Sequence, residues 1–199
     1  VDLLVIGEAV TVTILITGFD PFAGRAVNTS WEVARAVAQE GIDGVRIRTR
    51  QLPVEFVTCG NELVEAVAGA QADIVLCLGE GSDTVALETV AVNRYTDTGV
   101  DNAGRHAPAQ TIDPGGSGVL RTLLPVADIL IALDAGGHRY ALSGDAGDFC
   151  CNETFYRLMQ HDCDAVRGFV HVPALDADAD VTALRDTVIA ILSTHDGLH

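Results

Sequence analysis

Residues 72–81 read ADIVLCLGEG, an apolar run that stops at glycine, and its shortness decides the fold. Five consecutive apolar residues, Ile74 to Leu78, suit a strand buried on both faces, and such strands lie inside sheets covered by helices on either side. Towards the N-terminus, TVTILIT at 11–17 is a second β-branched run, ending at Gly18. VRIRTRQL at 45–52 alternates apolar and charged residues, as a half-exposed or edge strand does, and Pro53 ends it. Thr29 followed by Glu32 makes a capping box for a helix in which Val33, Ala34 and Val37 share a face. PVEFVTCGNELVEAVAGA, 53–70, fits another helix despite Gly60, whose interior cost is about 1 kcal/mol. Towards the C-terminus, LETVAVN at 87–93 reads as a strand and 94–118 as a long aperiodic loop, a length usually kept for function. The tract 119–135 reads as helical, with LLPVADILIAL at 123–133 as a core segment. HRYALSG and VRGFVHVP read as strands around the helix CNETFYRLMQH. VTALRDTVIAIL closes the chain as a helix behind an Asp cap. This alternation predicts an α/β fold, a three-layer sandwich whose largely parallel, twisted sheet carries helices on both faces. Residues 11–199 form one domain on this reading, and its sites are expected at the carboxyl ends of strands.

Composition narrows the partners. The 199 residues carry a net formal charge of −16; the 12 basic residues are all Arg, and Asp outnumbers Glu 19 to 9. Such a surface repels phosphate backbones and anionic lipid, so neither nucleic acid nor membrane is an expected partner. It also repels itself, which molar salt relieves by shortening the Debye length to about 3 Å. A halophilic cytoplasm accounts for both the charge and the absence of Lys; a GC-rich genome accounts only for the Arg. Five cysteines without C-x-x-C spacing indicate neither a disulfide framework nor a zinc ribbon, and the histidines form no H-E-x-x-H cluster, so no metal or cofactor is expected. VDLLVIGEAV at the start has an acid and no basic residue, unlike a secretory leader, and a cytoplasmic location is expected.

Reactive groups fall where the fold predicts sites. DFCCNETFY at 148–156 places Cys150 and Cys151 in the first turn of a helix, where the dipole and unpaired amides favour a thiolate. His171 lies near the end of an apolar strand, and Glu88 at the edge of another. Taken singly, each has a structural explanation: a small core sulfur, a satisfied core histidine, a solvated acid. Spacing alone does not bring these three together, nor choose between the two sulfurs.

TGFDPFAG at 17–24 with NTSWEVARAV at 28–37, then LETVAVN, AGDFCCNETFY and GFVHVP, closely resembles the pyroglutamyl-peptidase I (pyrrolidone-carboxylate peptidase) family, in order and at similar separations over residues 12–195. The resemblance implies a cytoplasmic cysteine peptidase, without cofactor, that removes N-terminal pyroglutamate from peptides. It maps the nucleophile to Cys151, the histidine to His171 and the acid to Glu88, and leaves Cys150 as a wall of the substrate pocket. Phe19 and Phe22 in GFDPF, with Phe149, are expected as flat walls for the uncharged lactam. Amides of the 147–151 turn are the expected oxyanion donors, and Asp148 is expected to cap the helix. The loop between Gly79 and Glu88 is two residues shorter than in bacterial members, and Thr98 stands where those members carry Arg. The family includes four-subunit assemblies, so a homotetramer is expected. Residues 1–10 fall outside the resemblance and read as a dispensable extension. The competing readings are an inactive small-ligand binding protein on the same fold and a thiol redox sensor using the vicinal cysteines.

Overall fold

The computed structural model describes residues 12–96, 99–175 and 180–194. The expectations for residues 1–10 and for Thr98 lie outside them. Six strands form the main sheet: β1 (Val12–Phe19), β2 (Val45–Leu52), β3 (Ile74–Ser82), β4 (Val85–Glu88), β7 (Tyr140–Ser143) and β8 (Val166–Pro173), in the order β2-β1-β3-β8-β4-β7. The first four of that order run parallel, whereas β4 is antiparallel to β8 and parallel to β7. A two-stranded antiparallel ribbon, β5 (Val90–Val92) with β6 (Val119–Arg121), stands apart. The helices are α1 (Thr29–Glu40), α2 (Thr58–Ala70), α3 (Val126–Gly136), α4 (Cys150–Gln160) and α5 (Val181–Leu192).

Strand periodicity divides the interior into two cores. Leu15, Phe19, Val75, Cys77 and Phe169 point to one face, where they meet Leu63 of α2 and Phe155 of α4. Ile14, Ile16, Leu76, Leu78, Val170 and Val172 point to the other, against Val33 and Val37 of α1, Ile129 of α3 and Val188 of α5. The three-layer arrangement follows from strands that are apolar on both sides. The Arg-bearing edge pattern of 45–52 occupies the edge strand β2.

Four details differ from the sequence-based expectation, each for a local reason. The capping residue of α1 is Asn28, whose side chain accepts from Ser30 N at 3.1 Å; Thr29 is drawn away because its hydroxyl donates to Glu80 at 2.6 Å. The second helix starts at Thr58 rather than Pro53, since Val57 takes φ 66°, outside the helical region. LETVAVN breaks at Thr89, with Glu88 ending β4 in the main sheet and Val90 opening the ribbon. The tract 119–135 begins with strand β6, and its helix buries only Ile129 and Leu133 while Ile131 is 68% exposed. Gly60 is explained by packing: a Cβ there would stand 2.9 Å from Arg157 Cγ, so its absence lets α2 close on α4.

Candidate active site

Glu88 and His171 meet through sheet register. Ala86 pairs with His171 across the antiparallel β4/β8 ladder, and Glu88, two residues on, shares that face as a diagonal neighbour. The result is a 2.8 Å contact between His171 Nδ1 and Glu88 Oε1, with the two residues 7% and 2% exposed. The Nδ1–H donates to the carboxylate, which leaves Nε2 for other chemistry. On the parallel side, His171 pairs with Gly79 of β3. Gly79 clears the space above this pair: a Cβ on it would lie 2.9 Å from Cys151 Sγ and 2.8 Å from the Phe169 ring. The sulfur therefore rests on the backbone of Gly79, beside the imidazole.

The helix dipole and the imidazole act on that sulfur together. Cys151 lies in the first turn of α4, and no side chain caps the turn at Phe149. The expected cap by Asp148 does not form; Asp148 accepts the Thr96 hydroxyl instead. Burial alone would lower the His171 pKa, but hydrogen bonds and charge from Cys151 and Glu88 outweigh it and push the imidazole up to about 10. Both partners favour the charged form of the ring, which suits it to take up a proton on Nε2.

Cys150 points elsewhere. It is 1% exposed in the core beside Cys59, and the Cys59 thiol followed by burial pushes its pKa far above the ordinary value. Phe22 and Phe149 are half-buried and stack at 5.3 Å between ring centroids. Phe19 is 2% exposed and lies beneath them in the core. The structure thus brings Cys151, His171 and Glu88 together, sets Phe22 against Phe149, and sinks Phe19 and Cys150 into the interior.

Several residues that no sequence pattern flagged complete the surroundings. Phe56 packs edge-on against Phe149 at 4.6 Å and against Tyr95 at 5.5 Å, extending the aromatic wall. Its backbone is clamped by two buried carboxylates: Phe56 N donates to Asp101 at 3.0 Å, and Val57 N to both oxygens of Glu153 at 3.1 Å. Burial raises the Glu153 pKa despite those bonds. Glu80 caps the amide of Thr29 at 2.7 Å and pairs with Arg25, fastening the loop that carries Phe22 to the end of β3. Only the helix-start signal at Thr29 hinted at such a network. Among the described residues no cluster of metal-binding side chains occurs.

Known proteins share this arrangement of chain. The profile of the pyroglutamyl peptidase family, Peptidase_C15, matches residues 12–188. Pyrrolidone-carboxylate peptidase 1 of Ralstonia nicotianae is 38% identical over 189 residues, covering 89% of this chain and 88% of that protein. The pyrrolidone-carboxylate peptidase of Gloeobacter violaceus is 38% identical over 171 residues, 83% of each. The crystal structure of pyroglutamyl peptidase I from Bacillus amyloliquefaciens superposes with a TM-score of 0.87 at 29% identity, over 94% of this chain and 95% of that one. A profile that runs from the first strand into the last helix, joined to that degree of identity, places the chain in the pyroglutamyl peptidase family.

Proposed function

We propose that the protein is a cysteine exopeptidase that hydrolyses the amide bond after an N-terminal pyroglutamyl residue, with Cys151 as nucleophile, His171 as acid and base, and Glu88 as the group that orients the imidazole. The observation that carries this is the single ring of His171, bonded through Nδ1 to Glu88 at 2.8 Å, with the Cys151 sulfur near enough to raise its pKa. The Cys151 proton passes to Nε2, and the thiolate attacks the pyroglutamyl carbonyl. Collapse of the tetrahedral adduct breaks the C–N bond, the imidazolium protonates the leaving amine, and a thioester remains. Water, deprotonated by the same nitrogen, then releases pyroglutamate and restores the thiol. Uncapped amides at the start of α4 are the natural oxyanion donors, each worth about 3 kcal/mol of barrier. The half-buried pair Phe22 and Phe149, backed by Phe56, supplies flat apolar surface for a lactam that carries no charge.

The test is hydrolysis of pyroglutamyl-aminomethylcoumarin by the wild type, Cys151→Ser and Cys150→Ser. Activity falls by about a thousandfold or more in the first and stays within about threefold in the second, since Cys150 is turned into the core. A reversed pattern transfers the nucleophile to Cys150, and a wild type without turnover returns the protein to the class of inactive binders.

The finer attributes of this reading are a halophilic cytoplasm, one domain over residues 11–199 and a homotetramer. The −16 charge without Lys supports the first. Exposed Leu123, Ile131 and Leu142 offer apolar surface for assembly. No helix among the described residues is long and apolar enough to cross a membrane.

A further inference from the structure

Arg167 lies on β8 four residues before His171, and strand alternation puts both side chains on the face covered by α4. It is 7% exposed and makes no ion pair with a carboxylate among the described residues. Its donors all go to main-chain carbonyls at the far end of α4 and the turn beyond. Nε donates to Leu158 O at 3.1 Å, one terminal nitrogen to Cys163 O at 2.6 Å and Ala165 O at 3.0 Å, and the other to His161 O at 2.9 Å. A buried guanidinium is costly unless its donors are satisfied, and here the negative end of the helix dipole supplies the compensating charge.

We propose that Arg167 is a positioning residue for the reaction, pinning the carboxyl end of α4 to β8 so that the amino end delivers Cys151 to His171. The two spans agree. From Arg167 to His171 the strand covers about 13 Å, and from Cys151 to the last turn of α4 the helix covers about 10–15 Å. Helix and strand run in opposite directions, clamped at one end by the guanidinium and meeting at the other as sulfur and imidazole. The grip is many-pronged, so it fixes both the sliding and the rotation of α4, and a slip of about 1 Å would spoil the thiol's approach to Nε2.

This rests on the reading of Cys151 and His171 as the reacting pair, and the experiment separates the two. The full-length protein and its Arg167→Met and Arg167→Lys variants are assayed on pyroglutamyl-aminomethylcoumarin, and iodoacetamide alkylation of the Cys151-bearing peptide is followed by mass from pH 4 to 10. Arg167→Met lowers kcat by about tenfold or more with KM within about threefold, and changes the alkylation rate of that peptide across the pH series. Arg167→Lys falls between, because one ammonium cannot serve four carbonyls. A folded Arg167→Met enzyme with kcat within about twofold and an unchanged alkylation profile overturns the proposal. Where Arg167→Met does not fold, the Lys variant decides: wild-type kcat and profile overturn it, a reduced kcat with a changed alkylation profile supports it. Cys151→Ser run in parallel identifies the other failure, since activity in that variant removes the reacting pair itself.

Discussion

The imidazole of His171 carries a pH signature. Its pKa is raised in the fold, so the stabilisation it gains is complete below the unfolded value of about 6.5 and is lost as pH rises through about 10. In molar KCl, which screens general repulsion, the melting temperature is expected to fall between those limits, and to fall less in His171→Gln; equal slopes in both proteins would reject the ion pair. The three candidate residues were legible through the family resemblance, which mapped them to Cys151, His171 and Glu88. Their convergence was not. It comes from a diagonal across an antiparallel ladder and from a glycine on the adjoining strand β3, neither of which leaves a mark in spacing. The choice between adjacent sulfurs has the same character. Consecutive helical side chains diverge by about 100°, so one of the pair must leave the cleft, and only the phase of α4 against the sheet says which.

Elements are held around the site by polar side chains that the hydrophobic pattern does not encode. Asn152, fully buried, accepts from Val92 N at 2.9 Å and donates to Val92 O at 2.8 Å and Arg94 O at 3.1 Å, so it sews α4 to the ribbon strand β5 just beyond Glu88. Asn152→Leu strands these backbone groups, and a loss of about 3 kcal/mol or more is expected in urea unfolding, with activity lost alongside. An unchanged midpoint would show that the ribbon is held by other means. Long periodic elements such as α5, with its Asp180 cap, were readable from their sequence. The three-residue strand β6 was not, because it lacks the length for periodicity to register and borrows its partner from thirty residues earlier. The late start of α2 was hidden for a different reason: Glu153 and Asp101 hold Phe56 and Val57 out of the helix from distant parts of the chain.

Across the whole molecule, charge and topology act at different ranges. The net charge of −16 predicts that raising KCl from about 0.1 to 2 M increases the melting temperature by about 5 °C or more and carries activity and light-scattering mass upward with it, as repulsion within and between copies is screened. A melting temperature indifferent to KCl would leave codon usage as the account of the composition. The layered architecture was legible from ADIVLCLGEG and its neighbours, since strands apolar on both sides admit few arrangements. The reversed direction of β4 and β7 was not, because a short buried strand reads the same in either sense. That reversal has a practical outcome. The link between β3 and β4 spans only Asp83 and Thr84 and crosses the end of β8, while Glu88 is seated deeper, level with Phe169. Extra residues spliced into this bridge would lengthen the crossing over β8, yet leave the carboxylate at its station below, so the connection can be rebuilt without moving the group that holds the imidazole.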